Sequence, residues 1–91
     1  MTDFIDRARL LFLLHEDQAL LERMCDAELL PRGTDRFTLA QAETARVVGT
    51  LVHELEINWS GVEVVLRLRS ELIITRRQAT ELLRLLRARG D

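Results

Sequence analysis

Cysteine, proline, glycine and aromatic residues are all scarce in this chain of 91 residues. Cys25 is the only cysteine, so the sequence excludes an intrachain disulfide and a thiolate metal cluster and favours a reducing compartment. No apolar run approaches the roughly 20 residues that span a bilayer, and no basic segment precedes a hydrophobic stretch near the N-terminus. We therefore expect a cytoplasmic protein without a membrane anchor.

Residues that carry enzymatic chemistry are also few. The two histidines, His15 and His53, are 38 positions apart, and neither lies in a motif with the spacing of metal ligands or of a general base. The sequence has no tyrosine, no phosphate-binding glycine loop and no nucleophile motif around Ser60 or Ser70. We expect a protein that is not an enzyme and that uses no cofactor and no metal.

The residues that are present indicate a small helical protein. Apolar residues make up 47% of the chain and charged residues 31%, which is typical of a globular domain. Leucine, alanine, glutamate and arginine dominate, and these residues favour helices over strands. A chain this short forms a thin core, which a partner chain would help to cover. The predicted fold class is therefore all-α, or nearly so.

Charge is distributed unevenly along the chain. All 13 basic residues are arginine, against 15 carboxylates. Residues 1–33 and residues 34–66 each carry a net charge of −3, whereas residues 67–91 carry +4. The sequence thus predicts an acidic body followed by a basic C-terminal tail.

The first third of the chain contains one or two helices. Residues 4–14 carry apolar side chains at helical spacing, with Thr2 or Asp3 as the candidate N-cap. A second helix over residues 17–29 follows, with Asp17 as its N-cap. No glycine or proline separates the two segments, so a single continuous helix is an alternative.

Turn and capping signals mark the middle of the chain. Pro31 begins a turn or short hairpin that ends near residue 37. Thr38 and Gln41 form a capping-box pair ahead of a helix that runs to about residue 55. Within this helix Gly49 costs about 1 kcal/mol relative to alanine, which indicates either the close approach of another helix or a tolerated weakness, and we expect the close approach.

The C-terminal third predicts a long amphipathic helix. Asn58 is the candidate N-cap and Trp59 opens the helix; no stop signal follows until Gly90, so a fifth helix or a continuation of the fourth covers the tail. Apolar positions in this tail follow the 4-3-4-3-4 spacing of a coiled-coil seam. The seam residues are Leu68, Leu72, Thr75, Ala79, Leu82 and Leu86. The seam either folds back on its own domain or pairs with a second copy, and we expect the homodimer.

Residues 52–68 carry the most specific motif in the sequence, which reads VHELEINWSGVEVVLRL. This segment resembles the HEL-x-[LI]-[DN]-W-x-G-[IV]-x-x-x-L-x-L signature of the CbpM-type chaperone modulators, a branch of the MerR-like regulators. Residues 36–39 resemble the end of that family's wing, and residues 29–31 resemble the Gly-Leu-Leu-Pro that follows its second helix. The likeness covers residues 17–72.

The resemblance implies a specific fold. Residues 1–69 would form a MerR-like winged helix-turn-helix domain with a minimal hairpin wing, and residues 70–91 a C-terminal helix that dimerises as a coiled coil. The chain departs from the family pattern at Glu28, where glycine is usual, and at His15, where glycine is frequent.

The resemblance also implies a function. Members of the family are cytoplasmic proteins that bind the J-domain of a DnaJ- or CbpA-like co-chaperone and keep it from engaging its Hsp70, DnaK. The second helix carries Asp17, Glu22, Asp26 and Glu28 against Arg23 alone, so it would repel DNA and attract a basic helix of a J-domain. A solvated acidic face without a partner is the other interpretation of these charges, and we expect the four carboxylates to bind the J-domain. A MerR-family DNA-binding transcriptional regulator is the alternative, with DNA the less favoured partner.

Overall fold

The fold is mostly helical with one small sheet. A computed structural model describes residues 3–89, so the candidate cap Thr2 and the candidate stop Gly90 lie outside the described residues. The elements are β1 (Phe4–Asp6), α1 (Arg7–Leu13), α2 (Gln18–Asp26), β2 (Arg36–Thr38), α3 (Leu39–Gly49), a π-helical turn (Thr50–Glu54) and α4 (Trp59–Arg89). The prediction of a helix-rich chain is confirmed.

The chain divides into two compact units. The N-terminal unit ends at Asn58, and the second unit begins at Trp59 with α4. The division into a domain over residues 1–69 and a dimerisation segment over residues 70–91 stays a prediction. Among the described helices, none has the combined length and apolar character needed to cross a bilayer.

The predicted first helix is wrong at its N-terminal end. Residues Phe4–Asp6 form β1, which pairs antiparallel with β2 so that Ile5 lies opposite Phe37. Phe37 is buried, and the guanidinium of Arg36 lies 4.4 Å from the centre of the Phe4 ring, so the strand pairing also brings side chains together. The helical spacing of the apolar residues did not indicate this strand, because its partner strand is 32 positions away in the sequence. The turn after α2 therefore leads into a strand whose partner is β1.

α1 and α2 are two helices, which settles the alternative that the sequence left open. Asp6 caps α1 by accepting a hydrogen bond from the Arg9 backbone N–H at 2.9 Å, so the cap is Asp6 and not Asp3. Asp17 caps α2 as predicted, accepting from the Leu20 N–H at 2.9 Å. Between the helices His15 and Glu16 both have a φ of 60°, a left-handed conformation that reverses the chain without a glycine.

α2 ends three residues earlier than predicted. The N–H of Leu29 donates to the carbonyl of Met24 at 2.9 Å, and the N–H of Glu28 donates to that of Cys25 at 3.0 Å. These two bonds form a Schellman motif, which requires its C′ residue to be left-handed, and Glu28 has a φ of 61°. The signal was invisible in the sequence because glutamate occupies the position that glycine favours.

Glycine at this C′ position should stabilise the protein. We expect Glu28→Gly to raise the free energy of unfolding by about 0.5–1 kcal/mol, because the left-handed conformation costs glycine no steric strain. Glu28→Ala removes the same carboxylate without relieving the strain and should give no gain. Urea denaturation of both variants checks this, and a glycine variant no more stable than the alanine variant would contradict it.

α3 begins and continues largely as predicted. The Thr38 hydroxyl accepts from the Gln41 N–H at 3.1 Å, and the Gln41 side chain accepts from the Thr38 N–H at 2.8 Å, which confirms the capping box. The helix passes into the π-helical turn after Gly49. A Cβ on Gly49 would overlap the backbone carbonyl oxygen of Leu13, so the close approach of another helix is also confirmed.

The core of the N-terminal unit is built from the inner faces of its helices and from β2. Its fully buried large side chains are Leu10, Leu14, Leu21, Met24, Phe37 and Val48. Cys25 is buried as well, with its Sγ 3.8 Å from the carbonyl oxygen of Pro31. The inner side of α2 is thereby fixed, which leaves its charged side facing solvent.

α4 is one continuous helix of 31 residues, so the tail continues the fourth helix. It begins at Trp59 as predicted, and Val62 is fully buried. Every described residue from Ser70 onwards is exposed, including the seam residues of that segment.

Candidate functional site

The exposed side of α2 carries an acidic pair, Glu22 and Asp26. The two residues are four positions apart, so they lie on the same face one turn from each other. Their side chains are 53% and 72% exposed, whereas Leu21, Met24 and Cys25 on the other side of the helix are buried. Both side chains of the acidic pair are therefore exposed to solvent.

Arg32 crosses the acidic pair. Its Nη1 lies 3.2 Å from Glu22 Oε2, and its Nη2 is ion-paired with Asp26 Oδ1. The hydrogen bond to Glu22 is the main reason that the pKa of Arg32 is held above its ordinary value, and the charge of Asp26 adds to it. The face that the sequence predicts as acidic, with Arg23 as the only positive charge of the helix, thus carries a further positive charge from Arg32.

The other two predicted docking residues lie elsewhere. Asp17 is at the N-terminal end of α2, about 13 Å along the helix axis from Asp26. Glu28 is the left-handed residue just past the C-terminal end of the helix. The structure brings Glu22 and Asp26 together, and it gives Asp17 a different set of neighbours.

Asp17 belongs to a histidine cluster, which consists of His15, Asp17, His53 and Glu54. The two imidazole rings are stacked, with centroids 4.8 Å apart and an interplanar angle of 13°. His53 Nε2 lies 2.8 Å from Asp17 Oδ2, and His15 Nε2 lies 3.6 Å from Glu54 Oε2. Each ring therefore has its own carboxylate.

Three backbone features build this cluster. The left-handed conformation of His15 brings its ring to the turn between α1 and α2. The π-helical turn carries His53 and Glu54, and such turns are frequent at functional sites. Gly49 lets the end of α1 approach, since a Cβ there would lie 3.3 Å from His15 Cδ2. No spacing in the sequence indicates the cluster, because its two halves come from segments far apart in the chain.

The cluster connects two segments of the N-terminal unit. Among residues 3–89, no group of three or more histidine, cysteine, aspartate or glutamate side chains is arranged to hold a metal ion. The pKa of Asp17 is lowered from its ordinary value, mainly by the hydrogen bond from the Leu20 N–H and further by His53. The cluster joins the start of α2 to the π-helical turn through the pair of Asp17 and His53.

Stability should therefore depend on the protonation of Asp17. Because its folded pKa is below the unfolded one, its contribution is complete above about pH 4 and is lost as the pH falls through the folded value. We expect Asp17→Ser, which keeps an N-cap acceptor, to make the free energy of unfolding depend less on pH in this acidic range. Near pH 7 the substitution should cost little stability. Asp17→Ala should lose about 1–2 kcal/mol at pH 7 as well.

Urea denaturation between pH 2 and pH 7, followed by circular dichroism, measures both effects. If Asp17→Ser lost stability at acidic pH as the parent does, other carboxylates would be responsible for that loss.

The N-terminal unit thus presents two distinct features, an exposed acidic pair crossed by Arg32 and a histidine cluster at the start of α2. Asp17 and His53 of the histidine cluster are only 29% and 32% exposed, so the acidic pair is the more accessible of the two features, and its carboxylates suit a cationic partner. The chemistry of these features, and not the fold, limits the possible functions, because one fold supports many functions. No protein-family model, no curated protein and no solved structure matches the chain.

Proposed function

We propose that this protein is a chaperone modulator that binds the J-domain of a DnaJ- or CbpA-like co-chaperone and blocks its engagement of Hsp70. In this proposal α1, the following turn and α2 form a helix-turn-helix with a minimal wing, and α4 forms a coiled-coil dimer. The protein acts by occupying a surface, without catalysis.

The observation that carries the proposal is the exposed acidic pair on α2. A J-domain presents a basic helix to its Hsp70, and a complementary acidic surface steers association with it and suppresses other partners. Glu22 and Asp26 project from the helix into solvent, so a second helix can lie against them. Covering the basic helix in this way excludes Hsp70 sterically.

The same face is unsuited to DNA. In a helix-turn-helix reader the second helix enters the major groove, and most of its affinity comes from arginine and lysine contacts to phosphates. Here Glu22 and Asp26 would face those phosphates. Arg32 is bound to both carboxylates, and Arg36 stacks on Phe4, so these two arginines already have partners within the chain.

Two backbone positions also support the family resemblance. The family favours glycine at the positions of His15 and Glu28, and both residues have a left-handed φ here, of 60° and 61°. Left-handed backbone is where glycine carries the least strain. At both positions the backbone conformation therefore suits glycine, the residue that the family favours, and only the residue type differs.

Titration calorimetry tests the proposal. The purified protein is titrated with the isolated J-domain of its own organism's DnaJ-like protein at two salt concentrations, with duplex DNA as the control. We expect micromolar or tighter binding of the J-domain that weakens with salt, and no binding of DNA. In parallel, J-domain-stimulated ATP hydrolysis by Hsp70 should fall as the protein is added. Salt-sensitive DNA binding without J-domain binding would overturn the proposal in favour of a transcriptional regulator.

α4 is the proposed dimerisation element. Its four seam leucines, Leu68, Leu72, Leu82 and Leu86, are 51–58% exposed in the single chain. Apolar stripes of this length on a soluble helix are normally covered by a partner. Light scattering should accordingly give the mass of two chains.

A further inference from the structure

Most of the positive charge between residues 70 and 89 of α4 lies on one side of the helix. At about 100° of rotation per residue, four of the five arginines in this segment fall within a sector about 100° wide, and all four are exposed. Both glutamates of the segment, Glu71 and Glu81, lie outside that sector. The four arginines, named here the basic stripe, are Arg76, Arg77, Arg84 and Arg87.

The basic stripe points away from the seam. Its centre is about 130° around the helix from the centre of the seam. A second copy of α4 that covered the seam would therefore leave the stripe exposed. Apolar side chains accompany the arginines, since Ile73 lies within the same sector and Leu83 lies beside it, and these two are 36% and 57% exposed.

The charges of the stripe oppose one another in the single chain. Arg84 and Arg87 are three positions apart, and like charges at this spacing repel each other on a helix surface. Arg84 is ion-paired with Glu81. The other three arginines of the stripe have no ion-pair partner within residues 3–89. An anionic partner would offset this repulsion.

The chemistry of the stripe suits carboxylates on another protein. Guanidinium groups pair with carboxylates through two parallel hydrogen bonds, and clusters of arginine recognise acidic motifs in many complexes. Arg77 and Arg84 are about 10.5 Å apart along the helix axis, which matches carboxylates two turns apart on a second helix. Ile73 and Leu83 offer apolar contacts that such a helix can make at the same time.

Nucleic acid fits the same surface less well. Proteins that bind single strands use aromatic side chains that stack on the bases, and α4 has no aromatic residue after Trp59. A duplex is longer than the stripe, and the chain as a whole repels it, because residues 1–58 hold six arginines against eleven carboxylates. A phosphate backbone also makes no use of the aliphatic side chains beside the arginines. A short acidic protein segment is therefore the occupant that this surface favours.

We propose that the basic stripe is a docking surface for an amphipathic acidic helix of another protein. The carboxylates of that helix pair with the four arginines, and its apolar side chains contact Ile73 and Leu83. The stripe is distinct from the acidic pair of α2 and attracts a partner of the opposite charge. The protein thus has one surface for a basic partner on α2 and another for an acidic partner on α4.

A synthetic helical peptide of about 20 residues is the probe, with glutamates along one face and leucines beside them. Its binding to the full chain is measured by fluorescence anisotropy of a label on the peptide, at low and at high salt. We expect binding that weakens as the salt concentration rises. A control peptide with glutamine in place of every glutamate should bind about tenfold more weakly.

Two double variants separate the stripe from the overall charge of the helix. Arg77→Gln with Arg84→Gln removes two charges from the stripe and should weaken binding of the glutamate peptide about tenfold. Arg67→Gln with Arg89→Gln removes the same charge from the other side of α4 and should weaken binding less than about twofold. All four side chains are exposed, so both variants should fold, and circular dichroism checks this.

Three results would overturn the proposal. The first is no binding of the glutamate peptide, or equal losses in the two double variants. The second is tighter binding of duplex DNA than of the peptide, lost in Arg77→Gln with Arg84→Gln, which would make nucleic acid the partner. The third is light scattering in which the chain alone forms assemblies that the same variant disrupts, which would show that the acidic surface of another copy occupies the stripe.

Discussion

Replacing Gly49 by alanine should destabilise the protein by about 2–3 kcal/mol, although alanine is the better helix former by about 1 kcal/mol. Gly49 has helical dihedral angles, with a φ of −58°, so alanine is compatible with the backbone at the position itself. The cost comes from outside the helix. A new Cβ would overlap the carbonyl oxygen of Leu13, and a backbone atom at the end of α1 cannot rotate away as a side chain can.

The chain has to separate α1 from α3 to accommodate this methyl group. That movement would disturb the stacked rings of His15 and His53, since the same Cβ lies 3.3 Å from His15 Cδ2. We expect the melting temperature to fall by about 10–20 °C, which is the size of change that this loss of free energy produces in a domain of this length.

A matched variant isolates the close approach from the general effect of removing a glycine. Gly33 has a φ of 71° and no atom within 4 Å of an added Cβ, so Gly33→Ala introduces backbone strain without a clash. It should cost about 1 kcal/mol. Thermal unfolding of both variants makes the comparison, and a Gly49→Ala protein as stable as the parent would disprove the tight packing of α1 against α3.

Local signals in the sequence predicted the local structure well. Asp17 and Thr38 act as N-caps because a short polar side chain and a backbone N–H three residues later are enough to define the interaction. Gln41 completes the capping box by accepting from the Thr38 N–H three residues earlier. Gly49 could be interpreted correctly for a similar reason, since a glycine inside a helix is costly unless something needs the space. None of these interpretations required knowledge of distant segments.

The errors came from distant pairing and from residues in unusual conformations. Phe4–Asp6 forms a strand only because β2 lies beside it, and no property of the first six residues reveals that partner. The end of α2 was placed too late because Glu28 occupies a left-handed position that glycine normally marks. In the first case tertiary context overrode the local pattern, whereas in the second a local capping motif formed on a residue type that does not signal it.

The histidine cluster could not be predicted for a further reason. His15 and His53 were interpreted as isolated residues because metal and catalytic motifs are recognised by short spacings. The rings meet only after the left-handed turn at His15 and the π-helical turn have both formed. Neither of these features has a reliable sequence signature. The acidic pair was the opposite case, because residues four apart on a helix share a face wherever that helix lies.

The acidic pair offers the sharpest test of function, because negative and positive charge can be removed from the same face separately. We expect Glu22→Gln with Asp26→Asn to weaken J-domain binding about tenfold. Two unit charges about 7 Å apart in water interact by about 0.6 kcal/mol, which is a factor of about three per charge removed. The amides keep the size and the hydrogen-bonding atoms of the side chains, so folding should be retained, and circular dichroism checks this.

Arg32→Gln should have the opposite effect. Arg32 places a positive charge between the two carboxylates, so its removal leaves the pair more negative and should tighten J-domain binding about threefold. A DNA-binding protein would respond in the reverse sense. Loss of Arg32 would remove a phosphate contact and weaken DNA binding, whereas loss of the two carboxylates would strengthen it.

The direction in which each of these two variants changes the binding affinity therefore distinguishes the chaperone modulator from the transcriptional regulator, whatever the absolute affinity is. Glu81→Gln is the matched control, because Glu81 also forms an exposed ion pair with an arginine, but on α4. Glu81 is not part of the proposed docking face, so J-domain affinity should change less than twofold. Calorimetry at low and high salt should show the effects of Arg32 and of the acidic pair shrinking together as salt rises. If both variants instead weakened J-domain binding, packing around Arg32 and not the charge of the face would determine recognition, and the electrostatic mechanism would be wrong.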